Sequence, residues 1–213
     1  MLAVPQLATL ATYSGAALLL ILTPGPDMAL FLSRTIGVGR AAGFAAMAGV
    51  MVGLLVHTLL ATLGLSALVA ASPTAFGLLR IVGAAYLLWL AWGAWRNGSG
   101  FDPRGPAGDA APGVARAFAT GVAMNVANPK IVLFFLTFLP QFVDPASPEA
   151  AAEIAFLGVW YVVLSVPICS IIILGAARVA DTITASPRIR RALDRTTAAV
   201  FALFAVKLAL SRA

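Results

Sequence analysis

The chain has 213 residues, of which 61% are hydrophobic and only 10% charged, against about 25% charged in an ordinary soluble domain. A single core of this size cannot hide so much apolar side chain, so the surrounding solvent must be lipid, and the length leaves no room for a second, soluble domain. The net charge of +6 would suit nucleic acid, but the Lys and Arg residues lie between apolar runs, which is a topology signal.

Six apolar runs follow one another along the chain. The N-terminal stretch MLAVPQLATLATYSG carries no Lys or Arg, so it lacks the basic region of a cleaved signal peptide and reads as part of a retained span. The first span is Tyr13–Ser33, followed by a loop with Arg34 and Arg40. The second, Ala41–Ala71, exceeds the roughly 20 residues a helix needs to cross the hydrocarbon, so it tilts or projects past the interface. It carries His57, the one histidine, and a stripe of small residues, Ala45, Gly49 and Gly53. Such a stripe marks a close helix contact, either inside the protomer or between protomers of a homo-oligomer. A short connection at Ser72–Pro73 leads to the third span, Thr74–Trp95. There Trp89, Trp92 and Trp95 read as an interfacial belt, and Arg80, like Lys207 later, is expected to snorkel to the interface.

The stretch Arg96–Arg116 is rich in Gly and Pro and without apolar periodicity, so it reads as a flexible linker. Span four is Ala117–Phe142 and span five Ile154–Ala177, with Pro167 read as a kink. The loop between them, Val143–Glu153, has no Lys or Arg. A basic loop, Arg178–Arg195, precedes span six, Thr196–Leu210. Basic and non-basic loops alternate, which places the basic ones in the cytoplasm and both termini outside; Arg212 is the single dissenter. The fold class expected is an all-α membrane protein of six transmembrane helices forming one domain over 1–213.

Two spans are interrupted. LTPGPDMALF at 22–31 and ANPKIVLFF at 127–135 both put prolines where a helix should be continuous. Proline in a helix interior costs about 3 kcal/mol or more, and carbonyls freed in lipid have no water to turn to. A broken helix therefore survives at membrane depth only where protein or a wet cavity covers it. Pro26-Asp27 and Pro129-Lys130 align, each in the first span of its half. Three spans per half then make an inverted 3+3 repeat with broken helices 1 and 4, repeat 1 at about 5–96, a linker at 97–116 and repeat 2 at about 117–213.

Each break starts a new half-helix, capped by Thr23 or Gly25 in one case and by Asn128 in the other. Two helix N-termini then face one region near the bilayer centre, a site for a small anionic group such as a carboxylate. Asp27 and Lys130 occupy matching places in the two halves, and a charge at mid-bilayer costs roughly 2.5–3.5 kcal/mol on insertion scales. Two readings stand side by side: a structural ion pair, or a pair lining a substrate site. Lys130 beside a helix N-terminus is electrostatically misplaced unless an anion joins it. Asp27 could hold an ammonium or carry a coupling proton. His57, which titrates near neutral pH in ordinary surroundings, is a second candidate for proton coupling or else a helix-to-helix hydrogen bond. Asn125, one turn before the second break, supports freed backbone groups or touches substrate. The candidate substrate-binding and translocation set is thus Thr23, Pro24, Gly25, Pro26, Asp27, Asn125, Asn128, Pro129 and Lys130.

With one cysteine, Cys169, there is no disulfide framework and no metal-ligand spacing. The alternative function is a transporter of divalent metal ions or of another small solute; Asp27 is the only mid-span acid, which is thin for a divalent metal. No catalytic arrangement and no cofactor is expected. The segments TPGPDMALFLSRTIGVGRAAGFAAMAGVMVG (23–53), LLRIVGAAYLLWLAWGAWR (78–96) and ANPKIVLFFLTFLPQFV (127–143) resemble the lysine-exporter and homoserine/threonine-exporter family, LysE/RhtB, across most of the chain. The resemblance implies a multi-pass protein of the bacterial inner membrane. It implies a secondary transporter, with protons and a small amino-acid substrate as partners, exporting neutral amino acids or close derivatives at the expense of the proton-motive force. The family motifs fall on Thr23 to Asp27 and on Asn128 to Lys130.

Overall fold

The computed structural model describes residues 5–71, 73–98, 101–103, 113–144 and 147–210, with side chains described outside 65–73, 75, 76, 79 and 80. The Arg80 side chain, the middle of the Gly/Pro linker with Arg104, and Arg212 lie outside the described residues. Among the described residues all regular structure is helical. The first expected span is two helices, α1 (Leu7–Leu22) and α2 (Pro26–Gly37). The second and third are α3 (Arg40–Ala71) and α4 (Pro73–Asn97). The fourth is α5 (Val114–Val126) followed by α6 (Pro129–Leu133), and the fifth is α7 (Ala150–Leu174). The end of the chain forms α8 (Ala176–Ala185) and α9 (Pro187–Leu210).

Both breaks have the same local cause. Proline clashes with a helical residue before it and pushes that residue to extended geometry. Thr23, before Pro24, has φ −70° and ψ 118°, and Asn128, before Pro129, has φ −73° and ψ 109°. Each new helix then opens with proline at its first position, where the missing N–H has no partner to lose. The chain bends by 51° between α1 and α2 and by 49° between α5 and the segment from Pro129 to Phe142. Beyond α6 the ladder widens to a π turn at Phe134–Phe138 and tightens to a 3-10 turn at Leu139–Phe142. Pro140 explains the change, because it has no N–H for a regular i to i−4 bond. Pro167, by contrast, lies inside α7 without interrupting it.

The basic stretch Arg178–Arg195 is helix, not loop. Its first part belongs to α8 and the rest, from Pro187, is the start of α9. Pro187 supplies a helix start, and the residues after it include neither Gly nor Pro to stop the helix. By length and composition α3 (over Arg40–Gly64) and α7 can each cross a membrane, and so can each bent pair taken as one span. Outward faces suit lipid: Leu55, Leu59 and Leu63 on α3, Ile81, Trp92 and Trp95 on α4, and Ile171 on α7 are all exposed.

The core is a set of close helix pairs, α3 with α5, α3 with α7, α2 with α3, α1 with α7 and α4 with α9. The small-residue stripe on α3 serves the first of them, inside the protomer. A Cβ on Gly49 would strike the Phe118 carbonyl of α5, and one on Gly121 would strike the Ala46 carbonyl of α3. The two backbones touch with no side chain between them, while Ala45 is only half-buried. An aromatic cluster fills one side of the core. Phe134, Phe135 and Phe138 pack with Tyr13, Tyr161 and Phe204, and the Tyr13 hydroxyl donates to the Leu157 carbonyl at 3.0 Å. The Lys207 ammonium lies 4.0 Å from the Phe142 ring centroid and 4.8 Å from that of Phe138. The aromatic faces give it an electrostatic partner beyond simple snorkelling.

Candidate functional site

The two breaks meet. Asp27 in the first turn of α2 turns one carboxylate oxygen to the second break, where Oδ2 accepts from Asn125 Nδ2 at 2.8 Å and Asn128 Nδ2 at 3.0 Å. Lys130 in the first turn of α6 reaches back to the first break, where its Nζ donates to the Thr23 carbonyl at 3.1 Å. Each charge thus crosses to the other half. All five residues are buried, with Asn125 fully enclosed.

The hydrogen bonds of Asp27 and Lys130 go to the two asparagines and to the Thr23 carbonyl, and not to each other. The Lys130 ammonium is also not electrostatically misplaced. It sits on the carbonyl that ends α1, the negative end of that helix. The caps resolve as well. Gly25 is the N-cap of α2, while the Thr23 hydroxyl turns back to the Leu19 carbonyl at 2.6 Å. Asn128 caps α6 through its Oδ1, which accepts from the Lys130 N–H at 3.1 Å. Glycine at 25 answers a close approach: a Cβ there would lie 3.0 Å from Lys130 Nζ.

His57 explains how the second break is held. In a continuous helix the Asn125 carbonyl would accept from residue 129, but Pro129 has no N–H. The carbonyl instead accepts from the Asn128 N–H at 3.0 Å and faces His57 Nε2 at 3.2 Å. A carbonyl only accepts, so Nε2 carries the proton. His57→Gln, whose amide can still donate there, is expected to keep gradient-driven transport in proteoliposomes. His57→Leu is expected to lose about 1–2 kcal/mol of stability, read as a lower thermal midpoint in detergent. Loss of coupling in a folded His57→Gln protein would make the imidazole a proton carrier instead.

Two cavities adjoin the breaks. The smaller, about 40 Å³, has Thr23, Asp27, Asn125 and Lys130 in its wall, with Tyr161, Ser165 and Cys169 of α7. It has room for a few waters but not for an amino acid. Asp27 Oδ1, the oxygen left over from the asparagine contacts, is buried with no hydrogen-bond partner. The larger cavity, about 260 Å³, is walled by Pro24, Gly25, Pro26, Asn128, Pro129 and Lys130, together with Trp89, Gly93, Thr197 and Phe201. Lys130 belongs to both. His57 lines neither.

The sequence-expected set is therefore brought together, while the walls from α4, α7 and α9 were not anticipated from sequence. Trp89 was expected in an interfacial belt; it is exposed, yet it also lines the larger cavity. Ser165 lies in the same apolar run as Pro167, a polar residue that pointed at α7 in principle. Nothing local marks Thr197.

Residues 18–212 match the family of LysE type translocators. The chain is 32% identical over 197 residues to the homoserine/homoserine lactone efflux protein of Salmonella typhi, covering 91% of this chain and 92% of the relative. It is 33% identical over 206 residues to an uncharacterised membrane protein of Pseudomonas aeruginosa, covering 93% of each. With the leucine efflux protein of Salmonella choleraesuis it shares 28% over 199 residues, again 93% of each. No solved structure matches.

Proposed function

Because the chain belongs to the LysE type translocators, a family of amino-acid efflux transporters and not of enzymes, we propose that it exports an uncharged amino acid or a close derivative from the bacterial cytoplasm, driven by the proton-motive force. It is a multi-pass membrane protein. α4 and α9 complete six spans in an inverted 3+3 repeat, in one domain with the termini outside. Support for the repeat comes from the pairing of elements. Each half begins with a span broken at proline, with a charged residue second in the new helix. The first span of each half packs on the second span of the other, α1 on α7 and α5 on α3, and the third spans pack on each other, α4 on α9.

The observation that carries the substrate reading is the exchange of opposite charges across the breaks. A zwitterion needs an acceptor for its ammonium and a cation for its carboxylate. Asp27 offers a buried oxygen without a partner, and Lys130 holds only a carbonyl that a substrate carboxylate can replace. Of the solutes in the relatives' names, homoserine and leucine are zwitterions with an uncharged side chain. Among the described residues no three His, Cys, Asp or Glu side chains come together, which gives the divalent-metal alternative no support from a carboxylate-rich cluster.

Asp27 is also the group proposed to carry the coupling proton. Asp27→Asn preserves the shape and can still accept from Asn125 and Asn128. It is expected to lose accumulation driven by a pH gradient and to keep only a weakened exchange of amino acid down its gradient, since an amide is a poorer partner for the substrate ammonium than a carboxylate, both measured in proteoliposomes with labelled homoserine. If accumulation persists and only the order of preferred amino acids changes, Asp27 selects substrate and does not carry the proton.

A further inference from the structure

Asp27 and Lys130 address the two charges common to all amino acids and leave the side chain unaccounted for. The larger cavity has features that fit one. Its volume, about 260 Å³, is just below the roughly 300 Å³ at which ordinary ligand pockets begin. Its wall is mostly apolar, from the prolines that open α2 and α6 and from Trp89 and Phe201. One residue of that wall carries an unsatisfied polar group. Thr197 is only 2% exposed, and its Oγ1 has no hydrogen-bond partner. Thr12, Thr58 and Thr137, also in helices, return their hydroxyls to the carbonyl four residues back. Thr197 does not, although an unpaired buried hydroxyl is costly. Across from it on α4, Gly93 leaves space: a Cβ there would meet nothing within 4 Å.

We propose that this cavity receives the substrate's side chain, with Thr197 as the hydrogen-bonding partner of a side-chain oxygen and Gly93 as the residue that sets the size limit. The inference rests on the amino-acid reading above and sharpens it to a class: uncharged side chains of moderate size, with a hydroxyl or carbonyl preferred. The substrate carboxylate sits at Lys130, which belongs to both cavities, and the side chain extends past the prolines. Basic side chains are rejected. Among the described residues its wall holds no acid to pair with them, and the one charged residue there is Lys130 itself.

The test uses purified protein in proteoliposomes and competing labelled homoserine, leucine, alanine and lysine. Thr197→Val, which keeps the shape and removes the oxygen, is expected to lower the homoserine-to-leucine uptake ratio roughly threefold to tenfold, the worth of one neutral hydrogen bond. Thr197→Ser is expected to restore that ratio. Gly93→Leu fills the cavity from a position with open space. It is expected to lower the leucine-to-alanine ratio more than about tenfold, with an unchanged elution profile showing that the fold is kept. The inference is overturned if folded Thr197→Val and Gly93→Leu proteins show native ratios, or if lysine competes as well as homoserine. If the native protein moves no amino acid at all, the transport reading falls first and this one with it.

Discussion

Lys130→Gln is expected to reduce uphill amino-acid movement by at least about a hundredfold while leaving the protein folded. Two losses add. The ammonium that can hold a substrate carboxylate disappears, and truncating one partner of a desolvated charged contact costs about 2–5 kcal/mol, or roughly two to three powers of ten in the middle of that range. The bond from Nζ to the Thr23 carbonyl goes as well. That second loss is smaller, because Gln still carries an amide donor and the Thr23 hydroxyl and N–H remain tied to α1. Lys130→Arg is expected not to rescue. A forked guanidinium is larger than an ammonium, and the position of a Cβ on Gly25 is already 3.0 Å from Nζ. The measurement is initial uptake of labelled homoserine under an imposed pH gradient, beside a thermal midpoint for each variant. Native uptake by Lys130→Gln would remove Lys130 from the substrate path.

Gly49→Val and Gly121→Val are each expected to abolish monodisperse protein on size-exclusion in detergent. Overfilling a packed site usually costs about 1–3 kcal/mol through shifted side chains. Here the obstacle is backbone. The added carbon meets the Phe118 carbonyl in one case and the Ala46 carbonyl in the other, and neither can rotate away. α3 and α5 would have to separate, which would also disturb Gly53 against Asn125 and so the partner of Asp27. Gly15→Ala and Gly64→Ala are the matched controls, since a Cβ at either meets nothing within 4 Å. Elution of Gly49→Val like the native protein would mean that the helices are not this close.

Much of this site can be read along the chain because its causes are local. Proline has the same effect on the residue before it wherever it occurs, so Thr23-Pro24 and Asn128-Pro129 announce two breaks, and Asn128 announces a cap. Asp27 and Lys130 are conspicuous because charge is expensive in apolar surroundings. Their partners were hidden. That Lys130 would sit on the Thr23 carbonyl, and Asp27 between two asparagines, depends on how α2 crosses α5 and α6. The helix that carries span six starts well before Thr196, where the hydropathy rises, because helix hydrogen bonds continue back to Pro187 regardless of polarity. Thr197 and Gly93 are ordinary residues in helical runs. They become notable only when α4 and α9 are side by side with a gap between them.

The contact of α3 with α5 joins a helix from before the Gly/Pro linker to one from after it, and it does so as a rivet joins two blades. Bare backbones pressed together can pivot at the point of contact, but sliding would drive the carbonyls of Ala46 and Phe118 into the next turn. For the proposed two-half transporter, the contact predicts that one half swings against the other by rotation about this point, with α4 and α9 among the moving arms. A chemical staple across the rivet should leave the machine running, and a staple between α4 and α9 should jam it. The chain is ready for such engineering, since Cys169 is its only thiol and one substitution clears the background for paired cysteines.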